Sequence, residues 1–277
     1  MKIIFAFLLI TSLLGAKIEV KAQTYEDMLK RSYEYADSGA LPAAEESLKA
    51  AMRLEPDNKF NFALLTNLGT IQRRQGKFED AEVSYSAALS QRPEDALILI
   101  NRAELYTEMH EIHKALADYN KLLETYPLHE QALYSRGLLY INTGEHESAQ
   151  ADFDLIIDKY KDTFLGRFGY AILEKARGNY DASEIVFNYL ADKTPDNSRL
   201  LEERAELYFL TKRNRLAMTD INKVFAAVKY PTAEMYMLRG RIKLAQFEKE
   251  SAAVDFKTAG ELGYDKATVE RCIKESF

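Results

Sequence analysis

The sequence predicts an all-α chain: a right-handed α-solenoid of about seven helix-turn-helix units, closed by a C-terminal capping helix. Three observations carry that prediction. Proline recurs at a fixed interval after apolar stretches of helical period. Small and large side chains recur at fixed places between those prolines. Glycine (12) and proline (6) are too scarce in 277 residues for the many tight turns of an all-β fold.

The interval is 34 residues. Pro93 and Pro127 stand 34 apart, Pro127 and Pro195 stand 68 apart, and Pro56 precedes Pro93 by 37, one period plus Lys59–Asn61. Placing the proline at position 32 defines units 25–58, 62–95, 96–129, 130–163, 164–197, 198–231 and 233–266. Position 8 is then small in every unit: Ser32, Gly69, Ala103, Gly137, Ala171, Ala205 and Gly240. Position 20 is small as well: Ala44, Ala81, Ala115, Ala149, Ser183, Ala217 and Ala252. Position 24 is large: Leu48, Tyr85, Tyr119, Phe153, Phe187, Ile221 and Phe256. Two helices of about 14 residues joined by a short turn make an antiparallel hairpin. Small residues at 8 and 20 let the backbones approach, and the large residue at 24 fills the space beside the crossing. Proline lacks an N–H and disfavours helix in the residue before it, so the second helix stops there. Units four, six and seven lack it, carrying Lys161, Lys229 and Tyr264 instead.

This pattern resembles the tetratricopeptide repeat (TPR) family over about residues 25–266. The second unit matches it best, through Leu65, Leu68-Gly69, Gly76, Phe78, Ala81, Tyr85, Ala88 and Pro93; Leu65 stands where the family often has Trp. Tyr at position 11 recurs as Tyr35, Tyr106, Tyr140 and Tyr208. The remaining residues, 267–277, read as the capping helix, with Val269, Cys272 and Ile273 as its apolar stripe. Cys272, the sole cysteine, has no intramolecular disulfide partner and reads as a small buried apolar residue.

The first 22 residues differ in kind. Lys2 precedes the apolar run Ile3–Ala16, and Val20-Lys21-Ala22 fits a cleavage site before Gln23. The run is too short for the roughly 20 residues of a membrane-spanning helix. A signal peptide, cleavage near Ala22, and a periplasmic or secreted chain with no transmembrane anchor are therefore expected. The ending of this segment resembles exported proteins of Bacteroidota. Net charge is −6 for the whole chain and −8 without residues 1–22. That argues against nucleic acid as a general partner, because a duplex binder must neutralise phosphates.

Candidate chemistry is sparse. Arg73–Glu82, "RRQGKFEDAE", gathers two arginines, a glycine and a lysine, but lacks the G-x-x-x-x-G-K-[ST] spacing and the strand of a phosphate loop. It reads as the elbow of unit two: Gly76 just past the first helix, and Glu79 and Asp80 in the first turn of the second. Arg74 and Lys77 are expected to face water. His110 and His113 sit three apart in the turn of unit three without a third ligand, so no metal is expected. No catalytic arrangement and no cofactor motif emerges.

The resemblance implies a non-catalytic scaffold that holds a protein or peptide in a groove lined by the first helices, at positions 2, 5, 9 and 12. Carried over, those positions make Ile100, Tyr134, Leu138, Ile141, Phe168 and Ile172 an apolar strip, rimmed by Arg73, Glu104, Glu202 and Glu206. Arg73 is expected to meet a carboxylate on the partner. The family's carboxylate-clamp subtype does not fit: Asn67 and Asn101 are present, but its lysine places hold Leu29, Tyr33 and Leu97. Two alternatives stay open. One is a structural subunit of an envelope complex that grips by its convex face or ends; the other is an enzyme accessory protein. Oligomeric state is not legible.

Overall fold

The computed structural model describes residues 24–277, so the expected signal peptide lies outside the described residues. Those residues form fifteen α-helices and no strand. They gather into two compact units divided between Ala115 and Leu116. The first holds α1 (Tyr25–Asp37), α2 (Leu41–Leu54), α3 (Asn61–Arg74), α4 (Phe78–Gln91) and α5 (Ala96–Glu108), with the division falling inside α6 (Ile112–Thr125). The second holds α7 (Glu130–Thr143), α8 (His146–Tyr160), α9 (Phe164–Ala176), α10 (Tyr180–Lys193), α11 (Ser198–Leu210), α12 (Asn214–Ala227), α13 (Ala233–Ala245), α14 (Lys249–Glu261) and α15 (Lys266–Glu275).

Each expected helix pair is present. Where proline occupies position 32, the second helix ends two residues earlier, and its cap residue leaves the helical region: Glu55, Arg92 and Thr194 all have φ near −135°. The turn between the helices is the same in all seven pairs. The backbone N–H at position 16 donates to the carbonyl at position 11, as from Lys77 to Gln72 at 2.9 Å and from Glu145 to Tyr140 at 2.7 Å. That closure forces position 15 to positive φ. Gly39, Gly76, Gly144 and Gly178 adopt it freely, whereas His110 (59°), Lys212 (60°) and Phe247 (65°) adopt it against a steric penalty. His110 thus serves the turn, and among the described residues no cluster of three His, Cys, Asp or Glu could hold a metal ion.

The helix pairs within each unit cross closely. Every position-20 side chain is fully buried, and every position-24 side chain is at most 2% exposed. A methyl group added at Gly69 would stand 2.8 Å from the Tyr85 ring; at Gly137, 2.6 Å from Phe153; at Gly240, 2.6 Å from Phe256. The one serine at position 20, Ser183, is accommodated because its hydroxyl donates to the Ala171 carbonyl at 2.8 Å. At the C-terminus, Val269 and Cys272 of α15 pack on Met237, Phe256 and Ala259, with Ile273 partly buried beside them, as a cap requires. Cys272 is a free thiol, and burial raises its pKa.

Polar ties reinforce the stacking, and the sequence reading missed them. Arg136, Arg204 and Arg239, at position 7, each make a two-pronged ion pair with the aspartate 16 residues later: Asp152, Asp220 and Asp255, at 2.6–3.0 Å. Arg136 also donates to Asn120 and Arg204 to Asn188, each on the second helix of the preceding repeat. Both stack near the position-11 tyrosine of their own helix. Burial favours the neutral acid, and for Asp152 it wins, leaving its pKa raised despite Arg136. A further tie corrects the expectation for Lys77. It lies 2.8 Å from the buried Glu45 of α2, which also accepts from Gln72 and Gln75 and pairs with Lys49 at 2.8 Å. Burial alone would raise the Glu45 pKa; those four donors outweigh it and hold it at about 2.

Two changes test this reading. Gly137→Ala is expected to destabilise the chain by about 1–3 kcal/mol through overpacking on Phe153, read as a lower thermal midpoint. Phe247→Gly removes a strained φ from an exposed side chain and is expected to raise the midpoint, with a gain of up to about 1 kcal/mol.

Candidate functional site

The expected groove residues do not form an open apolar strip. Tyr134 (1% exposed), Phe168 (0%) and Ile172 (8%) are buried within the second unit. Their rings pack on one another and on the position-24 residues: Tyr134 stacks on Phe168 at 6.5 Å, and Phe168 lies 6.0 Å from Phe187. They are core, because the close packing of α7 and α9 seals Tyr134 and Phe168 at position 5 and Ile172 at position 9. Leu138 and Ile141 on α7, and Ile100 on α5 of the first unit, are half-buried and keep apolar surface.

The expected rim fares differently. In the first unit, Arg73 is half-buried and held by its own chain, 2.9 Å from Glu104 and 3.3 Å from Glu108. Two carboxylates already surround it, so its charge is matched without a partner. In the second unit, Glu206 and Glu203 of α11 both bind Lys175 of α9, the latter at 2.6 Å. Burial would lower the Lys175 pKa, but the two carboxylates outweigh it and raise it.

Glu202 is the exception. Among the described residues it makes neither an ion pair nor a hydrogen bond, and the same holds for Glu234 of α13. Burial, then the nearby Glu203, Glu234 and Glu206, push the Glu202 pKa up to about 7, with Arg199 only partly opposing. These residues wall a cleft of about 230 Å³ between α11 and α13, lined by Glu202, Glu203, Glu206, Glu234, Arg241 and the apolar Met237, Leu238 and Tyr264. Arg199, at the start of α11, lies over the Tyr134 and Phe168 rings, 5.5 and 5.7 Å from their centroids. Beneath it the buried Tyr134 hydroxyl has no hydrogen-bond partner, and burial pushes its pKa up to about 12. The first-helix face of the second unit is therefore a charged surface on an aromatic floor. The sequence signal was present in Glu202, Glu203, Glu206 and Glu234, but their neighbours across helices were not.

A tetratricopeptide repeat model matches residues 66–109 and 101–162. A solved structure of a tetratricopeptide repeat protein from Parabacteroides merdae ATCC 43184 is 54% identical; the match covers 92% of this chain and 99% of that one, with a TM-score of 0.79. The chain belongs to the tetratricopeptide repeat family. More distant TPR-like structures share the fold alone. PilW, described as a widely conserved type IV pilus biogenesis factor, is 18% identical over 77% of this chain and 96% of its own, with a TM-score of 0.59. Yeast Tom70 is 13% identical over 95% of this chain and 65% of its own, with a TM-score of 0.64. No curated protein matches the chain. No helix of the described residues in this TPR chain is long and apolar enough to cross a membrane.

The raised Glu202 pKa carries a sign. Below its ordinary value of 4.5, both folded and unfolded chains hold the proton. Between 4.5 and about 7 the unfolded chain releases it first, so stability falls as pH rises, and above about 7 the penalty is constant. Glu202→Gln is expected to raise the thermal midpoint by about 2–4 °C at pH 8. By pH 4.5 that gain should vanish, as measured by calorimetric melting at both values.

Proposed function

We propose that this TPR chain is a non-catalytic scaffold, exported to the cell envelope, that holds a protein or peptide on the first-helix face of its second unit. One observation carries this reading. That face keeps polar groups which folding leaves unmatched: the half-buried carboxylate of Glu202 and the buried hydroxyl of Tyr134. Buried or half-buried polar groups without partners reduce stability, and a bound partner would offset that cost for Glu202. Half-buried Leu138 and Ile141 supply apolar surface on the same set of helices. Export rests on the N-terminal sequence alone, and the absence of catalysis on the lack of any assembled nucleophile–base arrangement among the described residues.

A second reading has one observation behind it. Ile185 (70% exposed) and Val254 (63%) occupy position 22 on the outward side of α10 and α14, as an outer-face contact within an envelope complex would use. Site-specific photo-crosslinking in the native cell separates the two. A benzoylphenylalanine at Gln131, exposed at position 2 of α7, is expected to give a discrete partner adduct, whereas one at Ile185 gives none. Adducts from Ile185 alone would reject the first-helix face and establish the outer one.

A further inference from the structure

In the first unit a small pocket of about 150 Å³ opens between α1 and α3. Burial gives its depth. Ser32, Leu48 and Ile71 are buried and form the floor, Asn67 is half-buried on the side, and Tyr33 and Arg74 are exposed and form the rim. The Ser32 hydroxyl already donates to the Leu29 carbonyl at 2.7 Å, so the floor offers a guest only apolar contact. A cavity of roughly 150 Å³ with aliphatic walls admits one benzene-sized group. Small-molecule sites run to roughly 300–1,000 Å³, so this one suits a single side chain.

Charge narrows the guest further. Arg74 is the only charged residue among those lining the pocket. The adjacent Arg73 is matched by Glu104 and Glu108, whereas Arg74 makes no ion pair, hydrogen bond or ring contact among the described residues. The half-buried Asn67 amide also lacks a hydrogen bond there. A ring with a carboxylate beside it matches both the floor and the rim.

The chain itself displays that pair of groups. Position 15 of each repeat turn takes positive φ; four units place glycine there, two place His110 and Lys212, and the seventh places Phe247. Phe247 is 86% exposed, more than any other large apolar side chain among the described residues, and it holds a φ of 65°. Exposure and strain both count against phenylalanine at this place, and neither is repaid within the fold. The next residue is Glu248, exposed and with no side-chain partner among the described residues. Backbone bonds from Phe247 to the Leu244 carbonyl and from Glu248 to the Lys243 carbonyl, each 3.0 Å, close the turn and fix both residues.

We propose that the pocket between α1 and α3 receives Phe247 of a second copy of this chain, its ring on Leu48 and Ile71, with Glu248 of that copy against Arg74. A second copy is chosen over an unrelated partner because ring and carboxylate are adjacent on one closed turn of this same chain, so docking costs little ordering. The contact uses neither Glu202 nor Tyr134 and stands independently of the function proposed above.

Sedimentation velocity of the full chain, from about 1 to 100 μM at low salt, tests it. The wild type is expected to self-associate with rising concentration. Phe247→Gly, which relieves the strained turn and so keeps the fold, is expected to weaken association at least about tenfold. Arg74→Glu, at an exposed position, should weaken it by about tenfold, and adding Glu248→Arg to that variant should restore it. A wild type that stays monomeric throughout, or a Phe247→Gly chain that associates as the wild type does, overturns the proposal. Failure of the charge swap to restore association, with Phe247→Gly still disrupting it, overturns the placement of Phe247 in this pocket.

Discussion

Everything in this chain depends on how closely two helices cross within each repeat. Small residues at positions 8 and 20 bring the backbones together, and one large side chain at position 24 fills what remains. Where glycine occupies position 8, the ring of Tyr85, Phe153 or Phe256 occupies the space a methyl group would need. Dense packing of this sort tolerates little change in volume. It also fixes the outward surfaces, because the angle and depth of each crossing decide which neighbouring positions are sealed. Position 5 is sealed on α7 and α9, though not at Glu202 on α11, and that is why Tyr134 and Phe168 became core rather than binding surface.

Charge does a second job around that packing. The Arg136–Asp152, Arg204–Asp220 and Arg239–Asp255 pairs are partly buried, fork-to-fork contacts that span two helices. Arg136 and Arg204 reach a third helix through Asn120 and Asn188. Such pairs add little net stability once desolvation is counted, but removing one partner leaves a buried charge. Their geometric role is to set how consecutive repeats stack. The pairing is confined to part of the array: unit five has Tyr170 and Val186 at these positions, unit two Leu68 and Ser84, and unit one Arg31 with Ser47.

Set against these matched charges, the first-helix face of the second unit stands apart. Elsewhere, acids buried in this molecule have donors, as Glu45 does with four. Glu202 has none and keeps three carboxylates for company. In the second unit the unmatched Glu202 carboxylate and Tyr134 hydroxyl fall on the first helices α11 and α7, while the first unit leaves the Tyr25 hydroxyl and Asn61 Oδ1 unpartnered.

By itself the sequence determined the repeat, its all-helical architecture and the cap, because those follow from local rules. Small residues at the crossing are written in every unit, and proline after the second helix in four of the seven. It also identified the left-handed turn at Gly76, though not that His110, Lys212 and Phe247 would take the same conformation, since the backbone closure there overrides side-chain preference. The Arg–Asp ties were legible in principle as paired substitutions at positions 7 and 23, and went unread because each residue alone looks like a solvated surface charge. What only the tertiary structure decided was the character of the candidate site. Helical periodicity assigns a residue to a face, but cannot say whether the next repeat covers it or which charges meet across the gap. Arg73 found Glu104 and Glu108, Lys175 found Glu203 and Glu206, and Glu202 and Glu234 were left over. That outcome depends on distances of a few ångströms between helices some 30 residues apart in the chain, and local sequence carries no such information.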